Sequence, residues 1–359
     1  MSAVIGRLRH PIIAAPMGGG PSTPELVAAV GEAGGLGFLA AGYRSAAQTM
    51  EQVAAVRRLT GAPFGVNVFV PRRDPVSDEA LDAYRRRLAP AAARLGTSVG
   101  EGRWDDDDYP AKIAALTESA GPAGPAVAVV SFAFELPGAE AVEALHAAGS
   151  EVWITLTRPD RAEAAERLGA DALVLQGAEA GAHRGGADDT DDYGVLPLLR
   201  LVARRTGLPL VASGGIGDGP GVAAALAAGA AAVSLGTAFL RCPEAATSPP
   251  HRAAVAAPGD TRLTRAFTGR RARGIVNGFL AEHDADAPVG YPQVHHMTVP
   301  LRAAARSAGD AGGLNLWAGQ AHELAEEAPA GTIVARLAAG AARAADELSA
   351  RLRRPSGQR

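Results

Sequence analysis

The sequence predicts an α/β fold, a (β/α)8 TIM barrel, on three observations. Eight short apolar runs recur, at 11–16, 36–40, 64–69, 127–132, 152–156, 172–175, 210–212 and 232–235. They lack in/out alternation, as strands buried on both faces of a parallel sheet do. Between them lie alanine-rich amphipathic stretches that stop on glycine just before the next run, at 25–34, 139–149, 161–169 and 220–229. Eight such units in roughly the first 240 residues match this barrel in order and in its typical size of about 250 residues. A doubly wound sheet is the runner-up.

Residues 1–240 are therefore read as the barrel. The unit after strand three is oversized, and residues 72–125, with a charged helix, the acidic run 105–108 and a Pro/Gly-rich stretch, read as a surface insertion. Adjacent carboxylates usually form a solvated loop, so no metal site is expected. Residues 241–359 read as helices and loops, a C-terminal helical cap and extension closing one end of the barrel.

A formal net charge of -3 lacks the basic surface that nucleic acid or an anionic membrane attracts, and neither partner is expected. The weakly polar window 221–240 contains Gly229, Ser234, Gly236 and Thr237 and reads as a helix, a turn and a buried strand, not a membrane span. Neither a targeting segment nor an internal disulfide is expected, since Cys242 is the single cysteine; a reducing cytoplasm fits.

Barrel enzymes build their sites from the loops after the strands, and often hold phosphate after strands seven and eight. Strand seven runs into Ser213, Gly214, Gly215, Ile216, Gly217 and Asp218, and strand eight carries Ser234, Leu235, Gly236 and Thr237. Glycine lets backbone N–H groups approach an anion, and Asp218 can cap the next helix. Each loop alone is equally explained as a plain tight turn; as a pair they point to a phosphate-bearing cofactor.

The strand-six loop, Gln176 to Gly186, surrounds His183 with small residues. An imidazole there can meet a flat cofactor and exchange a proton near neutral pH. The plainer reading is a histidine bonded to a neighbouring carbonyl. Of the other seven histidines, only His295 and His296 are placed to reach the site from the cap, and a structural role is the default for both. Asn67 and Gln176 end strands three and six with amides suited to a heterocycle, and Met17 follows strand one in a glycine loop where it can pack on a ring. Neither a dinucleotide-binding Gly-x-Gly-x-x-Gly turn nor a Gly-x-Ser-x-Gly elbow is present.

These segments, Ala15-Pro16-Met17, Gly65-Val66-Asn67, Gln176 to Gly181 with His183-Arg184-Gly185, Ala212 to Ile216, Gly236 to Phe239 and Asn315 to Gln320, resemble the nitronate monooxygenase family over nearly the whole chain. The resemblance implies FMN, with Asn67, Gln176 and Gly181 near the flavin, Gly215 and 234–237 near its phosphate, and His183 as catalytic base. It implies a small nitro or nitronate substrate, O2 as co-substrate, and a carbonyl compound and nitrite as products; a homodimer stays open. The family usually has two glycines before this histidine, whereas this chain has Gly181-Ala182. Three readings stand as rivals: an FMN-barrel enoyl-acyl-carrier-protein reductase, a nicotinamide:quinone reductase, and a non-catalytic flavin-binding protein.

Overall fold

The computed structural model describes residues 2–73, 75–119 and 126–353. All eight runs become strands: β1 (Ile12–Ala14), β2 (Leu36–Ala40), β3 (Phe64–Phe69), β4 (Val129–Ala133), β5 (Glu151–Leu156) and β6 (Ala172–Gln176), then, after the two-residue β7 (Ala182–His183), β8 (Leu210–Ser213) and β9 (Ala232–Leu235). The eight longer strands pair in parallel and close into a barrel, with Ile12 of β1 opposite Val233 of β9.

Two apolar layers explain the continuous hydrophobicity. One face of each strand packs on the surrounding helices, as with Val66, Leu173 and Val233 against Leu26, Leu145 and Leu199. The inward face forms a separate core of Ile13, Leu36, Phe38, Val129, Trp153 and Val211, on which Val4, Ile5 and Leu8 pack. Gly65 has no side chain because a Cβ there would lie 2.2 Å from the Phe38 ring. Glu151 ties down the N-terminal segment, accepting from Ser2 Oγ and the Val4 amide, and also takes the Trp153 indole N–H at 3.0 Å.

Local chemistry sets the helix ends. Thr23 caps Pro24–Glu32, Ser45 and Gln48 form a reciprocal capping box at Ala46–Leu59, and Asp218 caps Gly219–Ala227 as its position foretold. Gly34, Gly149, Gly169 and Gly229 all adopt the left-handed backbone that ends a helix.

The stretch read as an insertion divides in two. Tyr109–Glu118 joins the ring of barrel helices, whereas Asp78–Arg94 packs Leu81, Tyr84 and Leu88 into a second core with Phe267, Phe279, Val294 and Leu301. Asp74 and residues 120–125 lie outside the described residues. The acidic run is tied in where a solvated loop was expected: Asp107 pairs with the fully buried Lys112 at 2.8 Å and accepts from the Tyr43 amide, while Asp108 accepts from the Ala46 amide.

Beyond residue 240 the chain holds more than helices and loops. β10 (Thr261–Thr264) and β11 (Ala272–Ile275) are antiparallel, and β11 pairs with β7, so that Ala272 faces His183. Helix Gln293–Ser307 lies across the same end of the barrel. The last helix, Ala330–Leu352, packs between Gly219–Ala227 and Pro24–Glu32, the place of an eighth barrel helix. Gly219 and Gly340 let those backbones meet: a Cβ on Gly219 would fall 2.4 Å from the Gly340 carbonyl carbon. Among the described residues, no helix is long and apolar enough to cross a membrane.

Candidate active site

A cavity of about 670 Å³ opens at the C-terminal ends of the strands. Met17, Asn67, Gln176, Gly181, His183, Gly214, Gly215, Ser234, Leu235, Gly236 and Thr237 all line it. The strand geometry explains the convergence, because these residues end or follow five of the barrel strands, β1, β3, β6, β8 and β9, at the same face.

Asn67 is buried in β3 and donates through Nδ2 to Ser131 Oγ at 2.9 Å and its carbonyl at 3.2 Å. These bonds fix the amide and leave Oδ1 as an acceptor toward the cavity. Gln176 is more committed than its sequence position suggests. Its Oε1 accepts from the Gly185 amide and from Arg184 Nη1, while its Nε2 donates to the His183 carbonyl at 3.0 Å, so it shapes the His183 loop.

Gly181 is needed by the protein itself. A Cβ there would lie 2.6 Å from the backbone of Ala318 and Gly319, a segment held by Gly319 N–H to Thr237 Oγ1 at 3.0 Å and Gln320 N–H to the Glu179 carbonyl. Gly214 (φ 112°) and Gly215 (φ 68°) make the turn after β8. At Gly236 a Cβ would meet Ala15 Cβ and Met17 Cγ at an ordinary contact distance of 3.7 Å, and beyond it the chain makes a single 3-10 turn, Thr237–Phe239.

His183 is held on β7 by β11, and its Nε2 lies 2.9 Å from Thr268 Oγ1. The Thr268 hydroxyl also sits 3.0 Å from the Arg270 carbonyl, an obligate acceptor. Its one proton therefore goes to that carbonyl, and its oxygen accepts from His183 Nε2–H. Nδ1 is left unprotonated and without a partner among the described residues. Burial first, then the positive charges of Arg270 and Arg302, push the imidazole down to about 3, so it is neutral throughout the physiological range. The backbone N–H groups beyond it are spent: Arg184 donates to the Arg271 carbonyl, and Gly185 to Gln176.

Sequence reasoning missed much of the wall around His183. Phe134 and Tyr291 approach its ring edge-on at 5.8 and 5.6 Å, and Trp317 lies 5.9 Å away. His295, left as a structural residue, lines the cavity and stacks flat on Tyr43 at 4.0 Å. His296 instead bonds Asp105 at 2.8 Å, on a neighbouring cavity of about 370 Å³. Arg302 lines the main cavity, and the only signal for it was a cation within a helix. Three wall residues that are not glycine, Tyr43, Phe134 and Ala182, have left-handed backbone at φ 67°, 82° and 62°.

Comparison with known proteins agrees with this architecture. The family model described as nitronate monooxygenase matches residues 2–340. A nitronate monooxygenase of Pseudomonas aeruginosa is 40% identical, across 92% of this chain and 95% of that protein. The structure of a nitroalkane oxidase from Streptomyces ansochromogenes is 48% identical, with a TM-score of 0.92 over 97% of this chain and 100% of that one. FabK from Thermotoga maritima is more distant, at 26% identity and a TM-score of 0.76, with 98% of each chain covered. With the barrel, its cavity and these likenesses in agreement, the chain belongs to the nitronate monooxygenase family, a family of flavin-dependent oxidoreductases.

Proposed function

We propose that this chain is an FMN-dependent enzyme that uses O2 to convert small alkyl nitronates and nitroalkanes to a carbonyl compound and nitrite, with His183 as the base. The observation that carries the reading is His183 itself: a neutral imidazole, its tautomer set by Thr268, in a cavity lined by cofactor-sized loops.

The residues present fit FMN. The cavity volume falls within the ~300–1,000 Å³ usual for small-molecule sites. The Asn67 Oδ1 acceptor suits a ring N–H, the loops at Gly214, Gly215 and 234–237 suit the phosphate, and Met17 packs beside Gly236. Bound FMN would supply the electron acceptor for the substrate carbanion.

The chain's own work is proton handling and exclusion of water. His183 Nδ1 can take a proton α to a nitro group, with Thr268 stabilising the imidazolium by accepting from Nε2–H. An imidazole pushed down to about 3 is nevertheless a weak base toward so weak a carbon acid. A substrate that arrives already as the nitronate needs no such step, and its negative charge would offset the cations that depress His183. The nitronate is therefore the better substrate form on this reading. Phe134, Tyr291 and Trp317 exclude water around the reacting carbon.

Replacement of His183 by Ala tests the assignment. We expect FMN to remain bound by absorbance while nitroalkane turnover falls by about 10²–10⁴-fold; unchanged turnover would remove His183 from the mechanism. Anaerobic mixing with propionate 3-nitronate or a reduced nicotinamide separates the reading from a reductase, since flavin bleached only by the nicotinamide would overturn it.

A further inference from the structure

The cavity lining contains neither Asp, Glu nor Lys among the described residues; its only formal charges are Arg302 and Arg306, one turn apart on helix Gln293–Ser307. Arg302 is 9% exposed and has no carboxylate partner among the described residues. Its Nε donates to Thr298 Oγ1 at 3.1 Å, and its Nη2 to the His295 carbonyl at 3.1 Å and to His295 Nδ1 at 3.2 Å. Nη1 has no partner among the described residues, yet it is not one of the sealed, unpartnered atoms.

A buried guanidinium is ordinarily neutralised by a carboxylate, because an uncompensated buried charge is costly. Every neighbour here is neutral or positive. His295 is held well below its usual range by burial and by Arg302 itself, and its Nδ1 faces the guanidinium as an acceptor. Burial and then Arg306 push Arg302 down to about 10, which still leaves it charged at neutral pH. The amides of Arg184 and Gly185 beside His183 are already engaged, whereas Arg302 Nη1 is a donor without a partner among the described residues. Nη1 can give a charge-assisted N–H···O bond to an oxyanion, whether of a nitronate or a carboxylate.

We propose that Arg302 is the anion-anchoring residue of the substrate pocket, that an oxyanion of the substrate completes its missing ion pair, and that the exposed Arg306 draws such anions to the mouth. The proposal rests on the reading of this cavity as the substrate site, but its test does not require turnover.

The test is calorimetric titration of the purified holoprotein with nitrite and propionate as inert anions, and with nitroethane and propionamide as neutral counterparts, for the wild type and for Arg302→Met, Arg302→Lys and Arg306→Met. We expect Arg302→Met to weaken both anions about 30-fold or more and the neutral ligands less than about twofold, with Arg302→Lys restoring much of the loss. Arg306→Met should mainly flatten the salt dependence of binding. Circular dichroism establishes that each variant is folded; should Arg302→Met fail to fold, Arg302→Lys and Arg302→Gln carry the comparison. Equal loss for anions and neutral ligands, or full anion affinity in a folded Arg302→Met or Arg302→Gln protein, overturns the proposal. Ethylnitronate, which has no carboxylate, separates the sources: weakened by Arg302→Met, it marks the nitronate group as the anchored anion; unaffected while propionate is weakened, it marks a carboxylate. Anion binding through Arg302 without turnover of any nitronate would uphold the anchor and sink the proposed reaction.

Discussion

The two ends of the barrel differ in which residues take left-handed backbone. At the N-terminal end, the helix-to-strand turns need left-handed backbone, and Gly34, Gly149, Gly169 and Gly229 supply it at little steric cost. At the C-terminal end glycine still serves the loops after β1 and β8, at Gly19, Gly214 and Gly215, but Tyr43, Phe134 and Ala182 adopt left-handed backbone as non-glycine residues, after β2, β4 and before His183. Each such residue costs roughly 1–2 kcal/mol. One end is built for conformational ease. The other accepts strain because the side chain has a place to be: Phe134 against His183, with the Arg270 guanidinium 4.2 Å from its ring centre, and Tyr43 against His295.

The contrast can be broken most severely from inside the lower core. Trp153→Ala removes a fully buried ring and its bond to Glu151, and denaturant titration should show a loss of about 3–5 kcal/mol. A loss below about 1 kcal/mol would mean that the lower end is not the stability core.

Acid should weaken the upper end next. His183, His251 and His295 all lie below their usual range in the folded chain, His251 at about 4 because it is buried. The unfolded chain therefore takes up protons first. Stability from these three is full above about pH 6.5 and falls as pH drops toward 4, each contributing up to about 1.4 kcal/mol per unit. Asp107, raised to about 6 mainly by burial, has the opposite sign and offsets one of them. Denaturant midpoints should be level from pH 7 to 8 and decline below 6.5, and His251→Gln should make that decline shallower; an unchanged slope would rule out His251 as a contributor.

Thr268→Val sharpens the comparison at the site without touching the barrel. It removes the acceptor for His183 Nε2–H and should lower turnover about 10–100-fold while shifting the acid limb of the pH–rate profile. Thr268→Ser should restore both; a Val variant with an unaltered pH profile would count against control of the tautomer.

The smallest effects come from exchanging the two strategies. Gly229→Ala, at φ 106°, should cost about 1–2 kcal/mol, whereas Ala182→Gly should gain up to about 1 kcal/mol. A destabilised Ala182→Gly protein would show that its methyl group contributes more by packing than its backbone costs.

The same contrast explains what could be read beforehand. Buried parallel strands and glycine-ended helices carry strong local patterns, and the runs at 36–40, 64–69 and 232–235 coincide with β2, β3 and β9 to the residue. The candidate residues were legible because they follow those strands. Phe134, Thr268 and Arg302 carry no local pattern that marks them, because their roles come from contacts made far along the chain. Thr261–Thr264 has only one apolar residue, Leu263, in four and has no strand signal until Ala272–Ile275 lies beside it.

That distant pairing bears on the order in which the molecule matures. Neighbouring barrel strands can zip together soon after they leave the ribosome, since each finds its partner one unit away. β7 finds its partner only in β11, so the imidazole loop is templated by sequence that emerges much later. Long-range contacts of this kind form slowly. The His183 loop thus depends on chain made after all eight barrel strands, as does the last helix of the barrel's outer ring.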